Sequence, residues 1–110
     1  MGEPRIVDLR EPVETPADGI VSRTIHNDDT VRVVLFSFAA DQQLSDHTAS
    51  VAITLVIVEG EADIIVAGET YSGRTGSWMH VAANLPHSVV ARTPLTLLLT
   101  LLKTGGQGQP

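Results

Sequence analysis

The sequence predicts a single all-β domain, an antiparallel β-barrel of the jelly-roll kind. Turn signals recur every 8–12 residues between Asp28 and Pro94, which is the spacing of all-β sandwiches and barrels. No stretch longer than about eight residues carries the apolar stripe of an amphipathic helix. The 110 residues contain no internal linker, and a chain of this length suits one domain with its own core.

Composition excludes several classes of protein. The chain has no cysteine, so disulfides, thiolate metal sites and cysteine nucleophiles are excluded. Its net charge of -6 and lack of a basic cluster argue against nucleic acid and anionic membranes as partners. The first residues lack an apolar signal core, and the most apolar run, 95–102, is far shorter than the roughly 20 residues that span a bilayer. We therefore expect a cytoplasmic protein.

Three segments follow from the distribution of turn residues. In residues 1–19 acidic residues alternate with prolines, which predicts an N-terminal arm. Within it, residues 5–9 could add an edge strand to this chain or to a partner subunit. Residues 20–103 form the predicted barrel. Residues 104–110 contain three glycines and read as a flexible tail.

Strands are predicted wherever β-branched and apolar residues run between turn signals. Residues 41–46 are polar and are predicted to form a loop. Glu59 with Gly60, and Ala67 with Gly68, are predicted as two-residue hairpin turns. The predicted strands cover residues 20–25, 31–39, 51–58, 61–66, 70–72, 78–82, 87–92 and 95–102.

Two of these strands have more apolar residues than one core face requires. Residues 51–58, VAITLVIV, are apolar on both faces, and residues 97–102, LLLTLL, share this excess. The wall of a barrel covers only one face, and exposed apolar patches of this size usually mark a contact. We therefore expect a homodimer that uses these strands or the 5–9 segment.

Residues 76–87, GSWMHVAANLPH, are predicted to form a strand, a tight turn and the start of another strand. Asn84 tolerates the left-handed backbone that such turns need. Pro86 fixes its own φ and suits the first position of a strand. A histidine held after this stiff turn, His87, can face a cavity.

The chain has four histidines, and imidazole is the commonest protein ligand for transition metals. His26 lies in an acidic turn, where a solvated surface role is expected. His47 lies between the polar loop and an apolar strand, and it pairs with His87 as a candidate site across the barrel. His80 is expected at a surface or a subunit contact.

At this point the chain resembles the cupin superfamily, namely the small single-domain, RmlC-like barrels of the cupin 2 type. The first cupin motif, which contains two histidines and a glutamate between two glycines, falls on residues 41–60. His47 occupies the first histidine position and Gly60 the closing glycine. Asp41, Ala49 and Ile53 replace the opening glycine, the second histidine and the glutamate.

The second cupin motif falls on residues 76–91. Gly76 and His87 match it, whereas Ala82, Asn84 and Ala91 replace its proline, glycine and asparagine. The spacing of both motifs is preserved while much of their chemistry is not.

The resemblance implies a metal site of three histidines and one glutamate, of which only His47 and His87 remain. A divalent transition metal such as Zn, Fe, Ni or Mn would need further donors, and the candidate pocket or accessory residues are His80, Gln43 and Asp46. With 43% hydrophobic residues, the core should fold without any metal.

Three functions remain open at this stage. The first is a small-molecule-binding module with a depleted two-histidine site. The second is a metal-dependent cupin enzyme of the dioxygenase or isomerase type. The third is a non-catalytic assembly domain.

Overall fold

The computed structural model describes residues 2–10 and 16–103, and these contain nine β strands and no helix. The predicted tail at 104–110 lies outside the described residues. The strands are β1 (Ile20–Asn27), β2 (Val31–Phe38), β3 (Gln43–His47), β4 (Ile53–Glu59), β5 (Glu61–Val66), β6 (Glu69–Arg74), β7 (Trp78–Val81), β8 (His87–Ala91) and β9 (Leu95–Leu102).

The strands form two antiparallel sheets. One has five strands in the order β1-β2-β9-β4-β7, and the other has four in the order β3-β8-β5-β6. Within the described residues no strand pairing joins the two sheets, so the barrel is an open, jelly-roll-like pair of layers. The prediction of an all-β antiparallel fold is confirmed.

Two expectations about the strands were wrong. The predicted loop at 41–46 contains most of β3, because Gln43 and Leu44 pair with Val90 and Val89 of β8. This segment has few apolar residues, so its composition does not predict a strand. Pairing with the buried strand β8 nevertheless satisfies the hydrogen bonds of its backbone.

The predicted hairpin at Gly60 is instead a corner between the two sheets. Strands β4 and β5 flank this residue, yet β4 pairs with β7 and β9 while β5 pairs with β6 and β8. Gly60 has a φ of 108°, which side-chain-bearing residues rarely adopt. The second predicted hairpin is confirmed: Ala67 and Gly68 have φ values of 49° and 87° and join paired strands, as in a type I′ turn.

The core lies between the sheets. Alternate residues of β4 and β9 point inward, so Leu55, Ile57 and Leu97 are at most 1% exposed. Strand β8 faces them from the other sheet with Val89 and Ala91, both of which are also buried. The alternation therefore buries one face of β4 and of β9, as the period of two requires.

The N-terminal segment lies over the outer face of the five-stranded sheet. Val7 and Leu9 are half-buried and line a shallow groove with Ile25, His26 and Val33. Residues 2–10 contain no strand, so the predicted edge strand at 5–9 does not form within this chain. Residues 2–10 and 16–103 also contain no helix that could cross a membrane.

Candidate functional site

Two histidines meet where the two sheets diverge. His47 is the last residue of β3, His87 is the first of β8, and the two are directly paired across the strands. Their ring centroids lie 4.3 Å apart, with the rings inclined at 62°. The two side chains lie close enough to share a ligand, but on neighbouring strands of one sheet and not across the barrel as expected. A metal-binding role for them stays a prediction.

The turn before β8 holds His87 in place. Asn84 has the predicted left-handed backbone, with a φ of 69°. Its amide donates a hydrogen bond to the carbonyl of Ala49 at 2.8 Å, and the amide of Ala67 donates to the carbonyl of Pro86 at 2.8 Å. The turn is therefore anchored to both of its neighbouring segments, which fixes the backbone that carries His87.

Both rings have the same tautomer, because each Nδ1 lies 3.0 Å from a backbone carbonyl. His47 contacts the carbonyl of Ser45, and His87 contacts that of Leu85. A carbonyl oxygen can only accept, so Nδ1 must carry the proton in each ring. In the neutral ring, Nε2 is then an acceptor with a free lone pair.

The Nε2 atom of His87 has no hydrogen-bond partner among the described residues. The residue is only 2% exposed, whereas His47 is exposed. Buried polar atoms are nearly always satisfied, so an orphaned one in a native fold needs an explanation. An absent ligand that supplies a donor or a positive charge is one such explanation.

A cavity of about 430 Å³ adjoins the two rings, within the roughly 300–1,000 Å³ range of small-molecule sites. It contains Ala49 and Ile53, the two positions where the cupin motif has metal ligands. Most of its walls are apolar. The lining residues are Ser22, Arg32, Val34, Phe36, His47, Thr48, Ala49, Ser50, Val51, Ile53, His87, Leu99 and Leu101.

The other predicted site residues do not line this cavity. Gln43 and Asp46 are exposed on β3, and His47 is oriented by the Ser45 carbonyl rather than by Asp46. His80 is exposed on β7 and alternates with the inward-facing Met79 and Val81. Their proposed accessory roles stay predictions, since nothing in the geometry directs them to the histidine pair.

His26 is also remote from the cavity. Its Nε2 lies 2.8 Å from Oδ2 of Asp28 on the exposed turn between β1 and β2. Hydrogen bonds to Asp28 from the amide of Val31, the ring of His26, and the amide and hydroxyl of Thr30 hold the pKa of that carboxyl far below its usual range. This histidine therefore helps to order a turn.

Sequence analysis missed Arg32, the charged residue of the cavity lining. It lies on β2 opposite Leu101, on the same face as Val34 and Phe36. A charged residue in a largely apolar strand, VRVVLFSF, was the available signal. The alternation places Arg32 on the same strand face as Val34 and Phe36.

The described residues do not fit a complete metal site. No group of three or more His, Cys, Asp or Glu side chains among them could hold an ion. The first cupin motif contributes only His47, because Ala49 and Ile53 have no donor atoms. Two imidazoles alone leave at least two positions of a tetrahedral ion to water or ligand.

Comparison with solved structures agrees with this architecture. No protein-family profile matches the sequence, and no curated protein matches it. An RmlC-like cupin from Desulfovibrio desulfuricans superposes with a TM-score of 0.84 at 23% identity, covering 92% of this chain and 98% of that one. A cupin 2 conserved barrel domain protein from Leptotrichia buccalis gives 0.83 at 28% identity, covering 88% and 47%.

A larger protein shares the same fold. A salicylate 1,2-dioxygenase from Pseudoaminobacter salicylatoxidans, solved as a mutant in complex with gentisate, superposes with a TM-score of 0.73 at 20% identity. The match covers 78% of this chain and 26% of the dioxygenase chain, so it concerns one barrel only. The order of the strands, the two sheets and these structural neighbours together show that the chain has the all-β fold of single-domain cupins.

Proposed function

We propose that this cupin binds a small molecule in the cavity beside His47 and His87. The observation that carries the proposal is the buried, unpartnered Nε2 of His87. Its Nδ1 is held by the Leu85 carbonyl, so the ring cannot turn its free acceptor to solvent without losing that bond. A ligand hydroxyl or N–H group would satisfy this atom.

The apolar walls support a ligand with a hydrophobic body. Phe36, Leu99 and Leu101 offer aromatic and aliphatic surface, and Ala49 leaves space where a ligating histidine stands in the cupin motif. Sites of this kind gain affinity from apolar burial and take their specificity from a few polar groups. A ring that carries one hydroxyl group matches both features.

The test is calorimetric titration of phenol and of 4-hydroxybenzoate into the full chain, with His87→Leu as the variant. We expect binding to wild type and a loss of at least about tenfold in the variant, because one buried hydrogen bond is removed. His80→Leu is the matched control, since that residue lies outside the cavity. Failure of both probes to bind wild type would contradict the proposal.

A metal-dependent enzyme is the second candidate function. Two adjacent imidazoles whose Nδ1 atoms both contact backbone carbonyls favour it, because such a contact leaves Nε2 as the atom that can bind a metal. Gentisate bound to the dioxygenase neighbour makes dihydroxybenzoates the first substrates to try. Elemental analysis of untagged protein is decisive: a stoichiometric transition metal that His47→Ala removes would support the enzyme.

We further propose that the chain is a homodimer. The central outward-facing residues of the strands β4, β7 and β9 include no Asp, Glu, Lys or Arg, although the chain carries a net charge of -6. These residues are Thr54, Val56, Val58, Trp78, His80, Thr96, Leu98 and Thr100. Glu59, which pairs with Thr96, lies at the border of this face, so a second copy can approach its centre with little like-charge repulsion.

Exposed apolar groups add to this argument. Trp78 is 64% exposed beside Val56, and Ile6 of the N-terminal segment is 98% exposed. Light scattering at micromolar concentration should give twice the monomer mass, and Leu98→Lys should halve it. Tyr71→Lys, on the other sheet, is the control that should remain dimeric. A monomeric wild type would contradict the dimer and leave the ligand proposal untouched.

A further inference from the structure

We infer that the ligand is a carboxylate, and that Arg32 binds its anionic end. This inference rests on the proposed function and names the ligand class of the same cavity. Arg32 is the only charged residue among the described residues that line the cavity. Arg32 lies in the cavity wall, and within residues 2–10 and 16–103 its side chain makes one hydrogen bond and no ion pair.

The register of the strands directs Arg32 toward the cavity. Its Cα pairs with that of Leu101 on β9 and with that of Asn27 on β1. The inward residues that follow it along β2, Val34 and Phe36, line the same cavity. The guanidinium of Arg32 therefore belongs to the apolar wall that the five-stranded sheet provides. The two histidines lie on the four-stranded sheet.

Most donors of this guanidinium are unused. Its Nη2 atom donates to Oγ1 of Thr24 at 3.2 Å, which occupies one of five N–H groups. Thr24 pairs with Val34 and so lies on the same inward face. A hydroxyl partner orients the side chain without neutralising it, and this leaves donors available for a ligand.

Among the described residues, no ion pair joins a carboxylate to Arg32. The ion pairs found in residues 2–10 and 16–103 are Arg10 with Asp8, His26 with Asp28, and Arg92 with Asp63. Acidic residues outnumber Lys and Arg by 13 to 7 in this chain, so an arginine without an acidic neighbour is notable here. Charge in the cavity is thus positive even though the protein as a whole is acidic.

A carboxylate suits this cavity better than a phosphate. Arginine binds a carboxylate through two parallel N–H···O bonds, so a single guanidinium is sufficient for a monoanion. A phosphate dianion carries a second negative charge, and Arg32 is the only charged residue in the described lining that could balance it. The inferred ligand is therefore a small monocarboxylate with an apolar body and a hydroxyl or N–H group for the histidines.

The experiment compares an acid with its neutral amide in the full chain. Calorimetry measures the dissociation constants of 4-hydroxybenzoate, 4-hydroxybenzamide and phenol for wild type, Arg32→Gln and Arg74→Gln. In wild type the acid should bind about tenfold or more tightly than the amide, since hydrogen bonds to charged groups are the stronger ones. Arg32→Gln should abolish this preference and leave phenol binding unchanged. Arg74→Gln removes the same charge outside the cavity and should behave as wild type.

Some outcomes separate this inference from the proposed function. If phenol binds while the acid and the amide bind equally well to wild type, the cavity is a binding site but the carboxylate inference is wrong. A preference for the acid that survives Arg32→Gln would also overturn it. If no probe binds, the proposed function itself fails. A far-ultraviolet circular dichroism spectrum and a melting curve for each variant establish that the fold is retained.

Discussion

The two ends of the space between the sheets differ, although the same strands run through both. At one end Ile57 and Leu97 pair across β4 and β9 and are at most 1% exposed. At the other end Ile53 and Leu101 pair in the same way, but they border a cavity. Backbone pairing alone therefore does not decide where a site forms. The side chains that the second sheet contributes decide it.

The second sheet contributes different side chains at the two ends. At the packed end Ala62, Ile64 and Ala91 belong to the buried core, beside a smaller cavity of about 230 Å³ that Ile57 and Ile64 line. At the open end the facing residues are His47 and His87, and the connection between β3 and β4 contributes small or polar residues, including Ala49. We expect the packed end to determine stability and the open end to determine binding.

The largest expected effect is a truncation at the packed end. Leu97→Ala should lower the free energy of unfolding by about 2–5 kcal/mol, because it leaves a void among fully buried side chains. Leu101→Ala, a matched change beside the cavity where the residue is half-buried, should lower it by only about 1 kcal/mol. Urea unfolding followed by circular dichroism measures both. Equal losses of unfolding free energy in the two variants would contradict the proposed difference between the two ends.

The next largest effect concerns the corner between β4 and β5. Gly60 has a φ of 108°, and a Cβ there would overlap the carbonyl oxygen of Pro94. Gly60→Ala should therefore cost about 2–4 kcal/mol through backbone strain and overpacking. Gly68→Ala is the control, because its φ is 87° with nothing within 4 Å of the added methyl group, and about 1 kcal/mol is expected. Equal shifts in melting temperature would show that strain, and not the corner packing, dominates.

A smaller effect is expected from acid. The pKa of Asp28 is lowered in the folded protein, chiefly by the hydrogen bond from the Val31 amide and then by that from His26. A carboxyl with a lowered folded pKa stabilises the fold above its unfolded pKa of about 3.9 and loses that contribution as pH falls below it. The melting temperature of wild type should therefore fall between pH 5 and pH 3.

The variant for this prediction is Asp28→Asn, which should show a shallower fall over the same pH range. Asp29→Asn removes one carboxylate from the same turn without removing these hydrogen bonds, and it should retain the wild-type slope. Calorimetric melting curves at pH 5, 4 and 3 make the comparison. Identical slopes for all three proteins would contradict the role of the Asp28 turn in acid stability.

The smallest effect is expected at the histidine pair. A strong chelator should leave the melting temperature of wild type within about 2 °C, because the packed end supplies a core without any metal. His47→Ala with His87→Ala should cost much less than Leu97→Ala, since His47 is exposed and His87 leaves a buried acceptor unsatisfied. Differential scanning calorimetry tests both. Unfolding of wild type by the chelator at room temperature would contradict this prediction, because it would show that folding depends on a bound metal.

Much of the site was predictable and some of it was not. The motif spacing indicated that His47 and His87 would approach each other, and the structure places them in register. Arg32 was not predicted because arginine is not a metal ligand, although the alternation places it on the same strand face as Val34. Residues 47, 49, 51 and 53 all border the cavity, although β3 ends at 47 and β4 begins at 53.

The sequence by itself determined the class of fold, the turn at Asn84 and the hairpin at Gly68, because these depend on short-range periodicity and on which residues tolerate a positive φ. Tertiary structure alone decided that Gly60 turns the chain from one sheet to the other and that the polar segment Gln43–His47 is a strand. It also decided that Nε2 of His87 is buried without a partner. These features depend on which distant strands pair and on how much volume their side chains leave between the sheets, and neither is encoded in a local pattern.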